Sequence, residues 1–168
     1  DPANFPFVKA VVEMAIQKQV PVLYDPNVRG KHLQDDSRTY DHIAYFIQAA
    51  TVTKLSAEDL FHITGKASMA AWRDFLNANR AERYVLTQGA DSVLASFDGA
   101  EVDVDVSPVN VKNSVGAGDA FTAGFVSYSR DVCHDKETFF KAVERGAAFG
   151  SHVCTRHENY ISQGFAIQ

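Results

Sequence analysis

The residues best able to do chemistry lie together in Asn113-Ser114-Val115-Gly116-Ala117-Gly118-Asp119-Ala120-Phe121. Small residues at Gly116, Ala117 and Gly118 let the backbone approach a phosphate with no bulky side chain between them. If a helix begins there, its first N–H groups lack carbonyl partners, face outward, and share the positive end of the helix dipole. Such a turn is an anion hole. Asp119 would stand in the first helical turn, placed to take a proton from a hydroxyl as that hydroxyl attacks a terminal phosphate. Spacing alone leaves a second reading open, in which this is a glycine-rich helix start and Asp119 merely complements the dipole.

Three further groups repay the same treatment. Asn27 and Arg29 follow Asp25-Pro26, and ordinary turn chemistry accounts for the first three of these residues without a ligand. Arg29 equally suits phosphate or substrate recognition, because its planar fork offers two donors to one oxyanion. Lys54 and Asp59 read as an exposed pair at a helix start, worth little by itself. Thr87 and Gly89 form a strand-to-turn junction where a glycine would let a nucleotide come close. Ala147 and Gly150, on the last helix, make room for an adenine ring or for a neighbouring helix, and packing is the favoured reading.

Periodicity supplies the elements that must hold these groups. Apolar residues from Phe7 to Gln19 recur at helical spacing, and Pro21 to Tyr24 is a short strand that ends at Asp25. Helices are expected at Tyr40–Ala49, from Ser56 as cap to Thr64 with Gly65 as the stop, and at Ala67–Ala78. Strands are expected at Thr51–Leu55 and Tyr84–Thr87, with a hairpin, Val93–Phe97 and Val102–Val106, closed by Asp98-Gly99. Helices at Ala117–Ser129 and Lys136–Val153 complete the pattern, and the tail from 155 to 168 is ambiguous. Alternating strand and helix predict an α/β fold with a mainly parallel sheet flanked by helices, and ligands beyond the carboxyl ends of its strands.

Composition narrows the classes. At 168 residues, with 46% hydrophobic and 22% charged residues, the chain has the make-up of a folded domain. A net charge of −5 argues against a general nucleic-acid binder. Cys133 and Cys154 suit neither a metal site nor a disulfide framework and read as reduced thiols. The six histidines show no metal-type pairing, and Ser114 has no evident nucleophile partners. No apolar run approaches bilayer length and no secretory leader opens the sequence, so no membrane partner is expected and the cytoplasm is the expected compartment. A dinucleotide-dependent oxidoreductase would need its glycine fingerprint after an early strand, whereas the only glycine-rich turn comes late.

The run from Asn113 to Phe125 resembles the signature of the PfkB (ribokinase-like) carbohydrate kinases. Asp25-Pro26-Asn27-Val28-Arg29, Lys54-Leu55-Ser56-Ala57-Glu58-Asp59 and Thr87-Gln88-Gly89 are similar to further segments of that family and fall in its order, over residues 7 to 157. The resemblance implies a ribokinase-like core, ATP with Mg2+, and transfer of the γ-phosphate to a sugar hydroxyl. It puts Asp119 on the catalytic base, Gly116, Ala117 and Gly118 on the anion hole, Thr87 and Gly89 on the nucleotide turn, and Asn27 and Asp59 near the phosphate and Mg2+. The Asp-Pro-Asn-x-Arg segment looks fructokinase-like, which implies a ketose such as fructose. A 2-keto-3-deoxy sugar acid, a phosphosugar or a nucleoside stays open, as does a non-catalytic nucleotide-binding or assembly role.

Two departures from the family pattern shape the expectations. Asn113 stands where aspartate is usual, and family members often bind a monovalent cation such as K+ beside that aspartate. A neutral amide holds a cation less strongly, and Glu158 and Asn159 in place of Gly-Ala weaken the same site. Nothing in the chain matches the family's N-terminal half, with its sugar contacts, hinge and lid. Residues 1 to 168 are therefore expected to be the C-terminal ATP-binding and catalytic portion of one ribokinase-like domain, poorly active alone. The open sheet edge this leaves would favour pairing, a homodimer included.

Overall fold

The computed structural model describes residues 2–30, 33, 38–161 and 165. His32 and most of the tail after 161 lie outside them. Among the described residues, five strands follow the order β1-β2-β3-β4-β5. The chain divides into two compact units, residues 1–87 with 98–100, and residues 88–97 with 101–168. No helix among the described residues is long and apolar enough to cross a membrane.

In the first unit, β1 (Leu23–Tyr24), β2 (Val52–Ser56) and β3 (Arg83–Thr87) are parallel neighbours. The register pairs Tyr24 with Thr53, and Ser56 with Thr87. The carboxyl ends of the strands thus lie side by side. β1 is shorter than the expected Pro21–Tyr24. Val22 carries its own bonds there, donating its N–H to Thr51 Oγ1 at 3.0 Å and accepting at its carbonyl from the Thr51 and Val52 amides.

Four of the five β2 residues are buried, as a strand covered on both faces requires. Val52, Leu55, Val85 and Leu86 are each at most 1% exposed. Burying each such side chain contributes about 1.5–3 kcal/mol.

The helices of this unit are α1 (Phe5–Gln17), α2 (Arg38–Ala49), α3 (Ala57–Thr64) and α4 (Met69–Ala78). Ile43, Phe46 and Ile47 make the buried face of α2, as their spacing predicts. Ser56 caps α3 in a capping box with Asp59, and Gly65 ends it in the left-handed conformation. In α4, Trp72 is buried and its indole N–H donates to the Lys66 carbonyl at 2.7 Å. Only Val12 of α1 is buried, while Phe7, Val11 and Met14 stand exposed.

The second unit holds β4 (Ser92–Phe97), β5 (Ala100–Asp105), α5 (Ala117–Val126) and α6 (Lys136–Cys154). β5 alternates half-buried with exposed residues, and Glu101, Asp103 and Asp105 line its exposed face. Charges on a strand of this kind discourage stray pairing. α5 and α6 pack closely because small residues face large neighbours. A methyl at Gly124 would come within 2.8 Å of the Phe149 ring, and one at Gly146 within 2.9 Å of Phe121. Phe97, Phe125 and Phe139 meet edge to face at centroid separations of 5.3 and 5.4 Å and form the core.

Candidate active site

The glycine turn starts a helix, as its sequence predicts, and the structure gives each residue a distinct part. Gly116 is the N-cap of α5, with φ +83°. That left-handed conformation costs most residues with a Cβ about 1–2 kcal/mol and glycine nothing comparable. A Cβ there would also sit 2.9 Å from the Asn159 carbonyl oxygen. Gly116 is thus demanded by the fold as well as by any close approach of a ligand.

Ala117 donates its N–H back to the Ser114 carbonyl at 3.2 Å, and the Gly116 carbonyl accepts from Ala120 at 2.8 Å. The next two amides, of Gly118 and Asp119, lie in the first turn, where a helix has no carbonyl four residues back to accept them. Both residues are exposed. No N-cap side chain covers the turn. The geometry therefore presents a carboxylate beside two first-turn amides.

The preceding loop is anchored to the last residue of α6 and to the segment that follows it. The Lys112 and Asn113 amides both donate to the Cys154 carbonyl, at 2.8 and 3.4 Å. Asn113 Nδ2 donates to the His157 carbonyl at 3.3 Å, and its Oδ1 accepts from the Val115 amide at 3.0 Å. Gly150 lies on α6 where a Cβ would be 3.2 Å from the Ala117 carbonyl. Its small size thus seats the start of α5. Ala147 is buried. Packing accounts for both positions.

The Thr87–Gly89 junction has the expected form. Thr87 closes β3 and its hydroxyl reaches the Leu55 carbonyl at 3.4 Å. Gly89 takes φ +66° in an exposed turn, with open space where a side chain would be. The turn is held by Gln88, whose amide donates to the Ser92 carbonyl at 3.0 Å and whose Nε2 donates to Ser92 Oγ at 2.9 Å.

The loop after β1 is where sequence reasoning and structure part. Asp59 is 3% exposed, and among the described residues its carboxylate accepts three hydrogen bonds. Its Oδ1 accepts from the Val28 amide at 2.6 Å, and its Oδ2 from the Ser56 amide and hydroxyl at 2.7 and 2.6 Å. Both oxygens are held by protein donors, so Asp59 fixes the Asn27–Arg29 loop and is no direct ligand for Mg2+. Lys54, read as a surface partner for Asp59, is buried and pairs with Asp25 at 2.8 Å. Burial, with help from Asp59 and Asp25, pushes the Tyr24 phenol well above its usual range.

Asn27 itself is exposed with φ +45°, a conformation asparagine tolerates better than most residues. Asn27 and Arg29 border a cavity of about 320 Å3 in the first unit, whose walls include Phe5, His42 and Phe46. Thr39 also lines it, and its hydroxyl is buried with no hydrogen-bond partner among the described residues. Nothing in the sequence marked Phe5, Thr39 or His42. They come from two helices and meet only on folding.

Among the described residues, no group of three or more His, Cys, Asp or Glu side chains is arranged to hold a metal ion.

Comparison with known proteins agrees with the order of these parts. An aminoimidazole riboside kinase of Salmonella typhimurium is 28% identical over 135 residues, which cover 80% of this chain and 42% of that one. A fructokinase of Vibrio alginolyticus is 30% identical over 106 residues, 63% of this chain and 34% of that one. The chain thus spans less than half the length of these relatives.

The fold is similar to that of a Vibrio cholerae fructokinase double mutant, solved with fructose, ADP and potassium ion bound. The TM-score is 0.81 at 23% identity, over 90% of this chain and 50% of that one. The profile of pfkB family carbohydrate kinases matches residues 6–163. With the signature turn opening α5 and the fold agreeing, the chain belongs to the pfkB family of carbohydrate kinases.

Proposed function

We propose that this chain supplies the catalytic portion of an ATP-dependent sugar kinase, with Asp119 as the base. The observation that carries the reading is the exposed Asp119 carboxylate in the first turn of α5, beside the Gly118 and Asp119 amides. Phosphoryl transfer asks little covalent chemistry of a protein. It asks for positioning and for donors aimed at the charge that spreads over the terminal phosphate. The two amides suit that charge, and the carboxylate suits the proton of the attacking hydroxyl. The Thr87–Gly89 turn is the reading's nucleotide contact, with Gly89 leaving space for the ligand. Asn27 and Arg29 are its phosphate- or substrate-side contacts, at the rim of the cavity.

Mg2+ would arrive bound to the nucleotide's phosphates and neutralise part of their charge. K+ is a different matter. Asn113, at the position where the family's cation is expected, has its amide engaged on both sides. The residues present do not fit that cation.

A ketose such as fructose is the leading substrate, on the Asp-Pro-Asn-x-Arg segment and the fructokinase relatives. A riboside is the second reading. The aminoimidazole riboside kinase matches a larger share of this chain than the fructokinase does, 80% against 63%.

One assay separates these readings: ADP release from ATP, measured against ketoses and ribosides side by side. Replacing Asp119 by Asn should lower kcat about 10²–10⁴-fold, the usual worth of a general base. Thermal stability should hold, because Asp119 is exposed. A variant that keeps the wild-type rate would end the proposal.

A further inference from the structure

We infer that Asn113 replaces a bound monovalent cation, crosslinking the glycine loop to the segment after α6 through hydrogen bonds alone. The inference depends on the pfkB family pattern for its contrast and on the geometry of residue 113 for its content. It does not need the chain to be an active kinase.

Both ends of the Asn113 amide are engaged, and the assignment follows from the partners. The Val115 N–H can only donate, so it takes the Oδ1 end. The His157 carbonyl can only accept, so it takes the Nδ2 end. On either side the loop is tied to the same segment. The Lys112 and Asn113 amides meet Cys154, and Gly116 abuts Asn159. The Cys154 carbonyl is the last of α6 and has no partner within its helix, so these bonds also finish that helix. The loop that opens α5 is thus held at three points by protein groups.

A carboxylate at position 113 changes the chemistry of the middle point. It could still accept from Val115, but its other oxygen would face the His157 carbonyl oxygen about where Nδ2 now stands. Two acceptors at such a separation repel and offer each other no proton. A monovalent cation between them would turn the repulsion into coordination by oxygen. Amide alone, and carboxylate with cation, are two solutions to one problem. This chain has the first.

The test compares melting temperatures of the wild type, Asn113→Asp and Asn113→Ala in equal concentrations of KCl, NaCl and choline chloride. The wild type should melt at the same temperature in all three. Asn113→Asp should melt about 3–10 °C lower in choline chloride, the loss expected when a hydrogen bond is removed and its acceptor stranded. KCl should restore at least half of that loss. Asn113→Ala should be lowered equally in every salt, because it has no charge to recruit an ion.

A wild-type protein stabilised by K+ over choline would overturn the inference, and so would an Asn113→Asp variant indifferent to salt. Should that variant fail to fold, thallium NMR on the wild type decides alone. Saturable binding of Tl+, a K+ mimic, refutes the inference, and its absence sustains it. Failure of the kinase reading would show as an Asp119→Asn variant with undiminished ADP release, a result that leaves these melting temperatures untouched.

Discussion

Three glycines offer a way to separate backbone strain from steric conflict at the glycine turn. Gly89 has φ +66° and open space around it. Gly150 is helical and has a carbonyl 3.2 Å from its missing Cβ. Gly116 combines φ +83° with a carbonyl at 2.9 Å. Gly89→Ala should carry strain alone, about 1–2 kcal/mol for a left-handed residue with a Cβ. For a domain of this size that lowers Tm by about 2–8 °C.

Gly150→Ala gains about 1 kcal/mol of helix propensity, which offsets a contact only slightly too close. Its Tm should therefore stay within about 2 °C of wild type. Gly116→Ala meets both penalties. The segment carrying Asn159 must move, and the Asn113–His157 bond moves with it, adding about 1 kcal/mol to the strain. A total of about 2–3 kcal/mol corresponds to a fall of about 4–12 °C. Differential scanning calorimetry on the three variants gives the order directly. If Gly89→Ala falls as far as Gly116→Ala, the close packing of Asn159 contributes nothing and the argument for a clamped loop fails.

Two further predictions concern the first unit. Asp59→Ala removes the side-chain half of the capping box and strands the Val28 and Ser56 amides, so urea denaturation should show a loss of about 3 kcal/mol or more. Asp59→Asn, which keeps one acceptor, should lose less. A metal-binding Asp59 would instead give variants with normal stability and impaired turnover. Arg83 donates to both oxygens of Asp98, and this holds the Asp98 carboxyl below its usual range. The stabilisation is complete above the unfolded carboxyl's pKa of about 4 and is lost as pH falls through the lower folded value. An exposed pair of this kind contributes at most about 1 kcal/mol. Wild type and Arg83→Met should therefore differ slightly in urea midpoint near neutrality and converge in acid. A gap that widens in acid would contradict the assignment.

Much of this fold is written locally, and that part reads well from sequence. Ser56 and Asp59 sit three residues apart at a helix start, Gly65 sits at its end, and Asp98-Gly99 joins two strands. Each is a short-range signal whose cause lies within a few residues, and each appears as expected. The glycine turn belongs to the same class, since one run of sequence sets both the N-cap and the carboxylate three residues on. Family resemblance extended this to the order of the parts.

Long-range partners were not legible. Asp59 looks the same in sequence whether it faces a metal or the interior. Its commitment is decided by Val28, 31 residues away, which arrives only when β1 and β2 pair. Lys54 presents the same problem. On paper it is a charge at a helix start. Its depth in the sheet makes an isolated ammonium costly, and Asp25 stands 29 residues off to meet it. The part-buried Lys54–Asp25 pair and the Asp59 carboxylate together fix the loop that holds Asn27 and Arg29. Lys54 and Asp59 thus act as supports of their neighbours. Within that loop Asn27 and Arg29 stand exposed while Val28 between them is buried, so the two supports leave both polar side chains open to a ligand.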